Sequence, residues 1–155
     1  MTAVTKFNLH MKYASDILYI GNGKKLKNAF VEINADGKIL NVESGIPEDA
    51  AFFPGALCPG LINAHCHLEL SHLKGKIAQK TGLAGFIAEV QNQRKAENNE
   101  VQEAIKTAIK EVEKSGTVAL GDISNGAQSL DAKHNSHLIT HTFVEVFGVN
   151  PEMAK

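Results

Sequence analysis

The chain has 155 residues, 43% of them apolar, which is enough for one globular domain of ordinary size with a buried core. Sixteen basic and seventeen acidic side chains are spread along it, for a formal charge of -1. That balance excludes a basic surface of the kind that binds nucleic acid or anionic lipid, and it favours a small neutral or zwitterionic ligand. Two cysteines, Cys58 and Cys66, are too few and too close together for a disulfide framework. Lys6, His10, Lys12 and Asp16 interrupt the first twenty residues, and no apolar stretch nears the roughly 20 residues of a bilayer span. The expectation is a cytoplasmic protein with no signal peptide and no membrane segment.

Up to about Pro54 the pattern is short strands and tight turns. Phe30, Val31 and Ile33 face Ile39, Leu40 and Val42 across Asp36-Gly37, a dipeptide suited to the positive φ of a hairpin turn, and Asn22-Gly23 offers a second such turn. A small antiparallel sheet is expected there. From Gly55 onward strands alternate with helices. After a bend at Pro59-Gly60, Leu61 to His67 reads as a strand. A helical tract follows from Leu83 to Arg94, with Leu83, Phe86, Ile87 and Val90 on one face. A stronger one runs from Glu100 to Lys114, where Val101, Ala104, Ile105, Ala108, Ile109 and Val112 hold the i, i+3, i+4 spacing. Asn98 or Asn99 is its expected cap, and Gly116 its left-handed stop. Thr117 to Ser124 and Leu138 to Phe147 read as further buried strands, with a short helix between them. This order is the signature of a parallel sheet built by crossovers.

His65 and His67 lie at the carboxyl end of the first of these strands. Alternate side chains of a strand share a face, so two imidazoles about 6 to 7 Å apart can converge on one cation. Cys66 then points into the helix layer as a small buried residue. The competing reading is a pair of histidines bonded to loop carbonyls, and the spacing by itself does not decide. Position favours the metal, because the carboxyl ends of strands are where such folds build their sites.

The stretch Pro59–Gly75, "PGLINAHCHLELSHLKG", preceded by "FVEINADGKILNVESG" and followed by "TGLAGFI", resembles the amino-terminal part of the metal-dependent amidohydrolase superfamily. It is similar in particular to the branch holding guanine, S-adenosylhomocysteine and aminodeoxyfutalosine deaminases and the chlorohydrolases. The resemblance implies an α/β fold: the first part of a TIM (β/α)8 barrel preceded by a small antiparallel β-domain, both incomplete. Residues 1–56 would form a partial β-sandwich, and 57–155 the first three barrel strands with their helices. By position, His65 and His67 would be ligands of a divalent metal, zinc or otherwise iron, that activates water for attack on a ring carbon bearing an amino group. The remaining ligands and the catalytic base would come from later strands, beyond Lys155.

A complete barrel takes about 250 residues. The segment after Leu57 is less than half of that, so the expected chain is a half-site, inactive by itself, that is either a truncation or is completed by another copy or a complementing chain. Glu69, on the side of the histidines by strand alternation, joins Ser71 and His72 as expected contacts to a small-molecule substrate, against the alternative of a solvated loop. Glu145, on one face with His141 and Phe143, is a further substrate-binding candidate. Asp122 reads as an anchor for the Ser124-Asn125 turn. His134, His137 and His141 read as surface loop plus strand. Three functions remain: a hydrolytic deaminase of a purine-like base or nucleoside, a cyclic amidase or chlorohydrolase, and a non-catalytic piece that keeps the fold alone.

Overall fold

The computed structural model describes residues 10–146, and the chain divides into two units that part between Pro59 and Gly60. In the first, β1 (Met11–Gly21), β2 (Lys24–Ile33), β3 (Ile39–Ser44) and β4 (Ala51–Leu57) form one sheet in the order β3-β2-β1-β4. Both expected turns are present. Asn22 and Gly23 have φ of 52° and 72°, the pair of positive values a type I′ turn requires. Gly37, at φ 77°, donates its N–H to Asn34 O at 3.0 Å. Ala14, Leu18, Ala29 and Phe30 are buried, and a groove of about 290 Å³ on the sheet is lined by apolar residues that include Tyr13, Leu18, Val31 and Leu57.

The sheet departs from expectation in one respect: β4 runs parallel to β1, so the unit is not wholly antiparallel. The strand passes through Pro54. Ser15 lies opposite Phe53 and Ile17 opposite Ala56, which places a bulge at Pro54-Gly55. Gly55 takes φ 99° and donates to Asp16 Oδ2 at 2.7 Å. A proline is tolerated because β4 is an edge strand, where no ladder donor is needed on the outer side.

The second unit holds β5 (Leu61–Cys66), a 3₁₀ turn (Leu68–Leu73), α1 (Gly82–Gln93), α2 (Asn98–Lys114), β6 (Thr117–Ser124), α3 (Leu130–His134) and β7 (Ile139–Val144). The three strands form a parallel sheet in the order β5-β6-β7. Helix α2 buries Val101, Ile105 and Ile109, one stripe at i, i+4 and i+8, against Leu68, Leu120 and Leu138. Its pattern was strong enough to read, and truncating fully buried Ile105 to Ala is expected to cost about 2–5 kcal/mol.

The register fixes the two faces of this sheet. Ala119, Gly121 and Ile123 pair with Ile139, His141 and Phe143 and share one face, while Leu120, Asp122 and Ser124 share the other, where all three are buried. We call the second the helix-side face and the first the open face.

Three elements differ in their bounds from the sequence reading. Strand β5 ends at Cys66, one residue before His67, because the chain turns there into the 3₁₀ turn. Strand β7 ends at Val144, and Phe147 lies outside the described residues. Helix α2 begins at Asn98 with Glu97 in the cap position in extended conformation, so neither Asn98 nor Asn99 is the cap. Helix α1 has the expected extent within a residue, but Leu83, Phe86 and Ile87 are exposed and it buries no residue among those described. Gly116 takes the left-handed conformation expected of it, φ 83°. The described residues thus form a mixed α/β arrangement with two sheets, not a closed barrel, and none of their helices is long and apolar enough to cross a membrane.

Candidate metal centre

Strand β5 does not reach its end as a regular strand. Asn63 aligns with Leu120 and Cys66 with Asp122, so the interval on β5 is one residue longer than on β6. The excess is a bulge, held by the Asn63 side chain, whose Oδ1 accepts the His65 N–H at 3.1 Å. Gly121 makes room for it: a Cβ at that position would collide with Ala64 O and come within 3.3 Å of Phe143 Cε2. No local signal in the sequence marks this glycine, because its need arises only from the strand beside it.

Past the bulge, Cys66 packs against the helix-side core, and burial pushes its thiol up to about 11, with the nearby Asp122 carboxylate adding to the effect. Adjacent residues of a strand face opposite ways, so His65 stands on the open face. His67 follows the strand with φ -130° and ψ 84°. The peptide after it is gripped at both ends: Leu70 N–H donates to His67 O at 3.1 Å, and Leu68 N–H donates to Asp122 Oδ1 at 2.9 Å.

This backbone brings the two rings together, with centroids 5.3 Å apart and planes at 63°. Their Nε2 atoms are 3.3 Å apart. Two nitrogens on a tetrahedral zinc, each bonded at about 2.0–2.1 Å, stand about 3.3–3.4 Å from one another, so the pair already has the spacing of a two-imidazole chelate. Among the described residues no set of three His, Cys, Asp or Glu side chains gathers in the same way. His134, His137 and His141 form no such group; His141 instead stacks edge-on against Phe143, centroids 4.5 Å apart.

Glu69 and Asp122 take places other than those the sequence suggests. Glu69 is not on the histidine side by alternation, since it sits in the 3₁₀ turn, 6% exposed. Its Oε2 accepts Ser124 Oγ–H at 3.1 Å and Asn125 N–H at 3.0 Å, and its Oε1 lies 3.4 Å from Arg94 Nη2. It therefore anchors the Ser124-Asn125 turn, the task expected of Asp122. Asp122, fully buried, anchors the turn after β5 instead: beyond Leu68 N–H it accepts Ser129 Oγ–H at 2.9 Å and Lys133 Nζ at 2.6 Å, and Lys133 reaches on to Thr142 Oγ1 at 2.7 Å. Asp122 of β6 thus holds the segment that follows β5, and Glu69 within that segment holds the turn that follows β6.

Ser71 lines a shallow depression with Glu103 and Thr107 of α2. His72 is buried between two carbonyls, Nδ1 at 3.1 Å from Glu69 O and Nε2 at 3.2 Å from Arg94 O, where a neutral ring donates to one of them. Glu145 follows β7, exposed, with Asn125 Nδ2 donating to its Oε2 at 3.2 Å and to its backbone O at 2.8 Å. Glu69, Asn125 and Glu145 thus link the ends of all three strands.

Residues 56–153 match the model of the Amidohydrolase family. Among solved structures the chain is similar to aminofutalosine deaminase from Helicobacter pylori, with 25% identity and a TM-score of 0.73 over 94% of this chain and 36% of that one. The same deaminase in complex with methylthio-coformycin aligns with 24% identity and a TM-score of 0.72, over 92% of this chain and 37% of that one. Guanine deaminase from C. acetobutylicum, with guanine in its active site, shares the fold at 17% identity and a TM-score of 0.62, over 86% of this chain and 36% of that one. The chain thus spans little more than a third of the length of these structures, and no curated protein matches its sequence. With the family model covering well over half its length, the chain belongs to the amidohydrolase family.

Proposed function

We propose that this chain supplies the amino-terminal part of a metal-dependent hydrolytic deaminase, in which His65 and His67 are two ligands of one divalent metal. The observation that carries this reading is the 3.3 Å separation of the two Nε2 atoms at the carboxyl end of the first parallel strand. Zinc is the proposed metal and iron the second choice, since imidazole suits both. A cation held there would act as a Lewis acid and bring the ionisation of water near neutral pH. What the chain's own residues contribute is placement: Asn63 turns His65, the Asp122 and Leu70 bonds set the His67 peptide, and the two Nε2 atoms are brought face to face.

In this reading β5, β6 and β7 are the first three strands of a TIM barrel, residues 57–155 belong to that barrel, and residues 1–56 belong to a small β-sandwich. The substrate is a small molecule, a purine-like base or nucleoside, and the protein is cytoplasmic. The deaminase is preferred to a cyclic amidase or chlorohydrolase because the chain is 25% identical to an aminofutalosine deaminase over 94% of its length. Of the substrate-contact candidates, exposed Glu145 remains the best placed, while Glu69 and His72 are turned to internal partners and Ser71 lines the depression beside α2. Two imidazoles leave a tetrahedral metal half coordinated, so the 155-residue chain by itself should not turn over substrate unless a second copy or another chain completes the site.

The test measures metal content and ammonia release from aminopurine bases and nucleosides side by side, on the 155-residue chain and on the natural gene product. The expected result is zinc binding that His65→Asn and His67→Asn each weaken at least tenfold, with ammonia released by the natural product only where its site is complete. Zinc binding indifferent to both substitutions, or turnover by the pure 155-residue monomer, would contradict the reading.

A further inference from the structure

The buried side of the parallel sheet holds an ion pair that no step of hydrolysis calls for. Asp122 and Lys133 have side chains at most 3% exposed and 2.6 Å apart. Replacing such a pair by apolar residues is often neutral for stability, so its presence is not explained by stability alone. Its connections are informative. Of the two carboxylate oxygens, Oδ2 takes the lysine and Ser129, which leaves Oδ1 for Leu68 N–H, 2.9 Å away. That N–H belongs to the peptide joining His67 to the 3₁₀ turn. Its carbonyl end is bonded to Leu70 N–H, so the plane of this peptide, and with it the ψ of 84° at His67, is set from both sides, which fixes the Cα that carries the ring where β5 meets the 3₁₀ turn.

We propose that Asp122, held in place and neutralised by Lys133, is the positioning residue for His67: it presets the spacing of the two imidazoles before any metal arrives. The inference rests on the metal reading above and goes beyond it by assigning a purpose to a pair on the opposite face of the sheet. Because a carboxylate accepting a hydrogen bond from a backbone N–H is a strong, charge-assisted contact, it can hold one backbone angle within a narrow range. Groups that orient metal ligands in this way are worth about 10- to 100-fold in metal affinity.

The experiment is a zinc titration of the whole chain followed by the imidazole resonances of His65 and His67, with helix and strand content and the denaturation midpoint recorded for each variant. Asp122→Asn with Lys133→Met keeps an acceptor for Leu68 N–H and removes both charges; its zinc midpoint should stay within about threefold of the parent. Asp122→Leu with Lys133→Met removes the acceptor as well, and its midpoint should rise about tenfold or more. A midpoint unchanged in a folded Leu/Met variant overturns the proposal. If that variant does not fold, the chain with the residue 68 amide replaced by an ester, which lacks only this N–H, decides in its place: a tenfold rise supports the proposal, and an unchanged midpoint overturns it. His65→Asn and His67→Asn run in parallel separate the two inferences. Zinc binding indifferent to both ends the metal reading itself, whereas sensitivity to them with an unaltered Leu/Met variant ends only the positioning role of Asp122.

Discussion

The two faces of the parallel sheet are built on opposite terms. On the helix-side face, Leu120, Asp122 and Ser124 of β6 are buried, and no buried side-chain nitrogen or oxygen among the described residues lacks a hydrogen-bond partner. On the open face, Ile139 is 74% exposed, Ile62, its neighbour across Ala119, is 73% exposed, and the imidazoles of His65 and His141 stand among them. The difference teaches that rigidity and chemistry are divided between the faces: one stabilises, and the other displays imidazoles whose ring contacts are to one another or to a neighbouring aromatic ring. Changes to the helix-side face should therefore be read first in stability, and changes to the open face first in binding.

The largest effect is expected from Lys133→Ala. It leaves the Asp122 carboxylate buried and short of its cation, and breaking a buried pair from one side costs about 3–5 kcal/mol. Denaturant unfolding of the purified variant measures it. A loss below about 1 kcal/mol would show that the pair is far wetter than its burial indicates.

Gly121→Ala comes next, because it acts where the faces meet. The added methyl must push against Ala64 O and the Phe143 ring, an overpacking worth about 1–3 kcal/mol. It should also displace the bulge that carries His65, so stability and zinc affinity should fall together.

His65→Asn and His67→Asn sharpen the contrast from the other side. Among the described residues these rings have no hydrogen-bond partner but one another, and stability should change by no more than about 0.5 kcal/mol while zinc binding weakens at least tenfold. A large stability loss in either would mean that the pair is a structural contact.

The smallest effect concerns Cys66. Its thiol ionises at about 11 in the folded chain against 9.0 unperturbed. Thiolate-directed reagents at pH 8 should label exposed Cys58 quickly and Cys66 slowly. The folded state holds this proton more tightly than the unfolded one. Its contribution to stability is therefore complete below pH 9 and is lost between about pH 9 and 11. A Cys66→Ala variant should not show that decline, which alkaline melting curves of the two proteins would reveal.

How much of this could be read beforehand depended on the range of the signal. The stripe of α2, the turns at Asn22-Gly23 and Asp36-Gly37, and the Pro-Gly-Leu-Ile-Asn-Ala-His-Cys-His run are local patterns, and each lies where the sequence places it. The bulge at Ala64 was hidden because it answers to Gly121, on a strand that becomes its neighbour only through folding. Strand β4, which runs through Pro54, is hidden for the same reason: only the sheet order shows that this proline lies on an edge. The exchange of roles between Glu69 and Asp122 was missed because strand alternation was carried past Cys66, where the strand ends and the period no longer applies. The apolar face of α1 shows the limit of periodicity, which identifies the face that seeks cover but not what covers it.

The central claim, that His65 and His67 act as one chelate, is tested most directly by the anomalous signal of zinc in crystals of the chain. The account predicts a single zinc bonded to both Nε2 atoms at about 2.0–2.1 Å, with the two side chains keeping the positions they have without metal. Zinc seated elsewhere, or held by one of these rings while the other turns away, would contradict it.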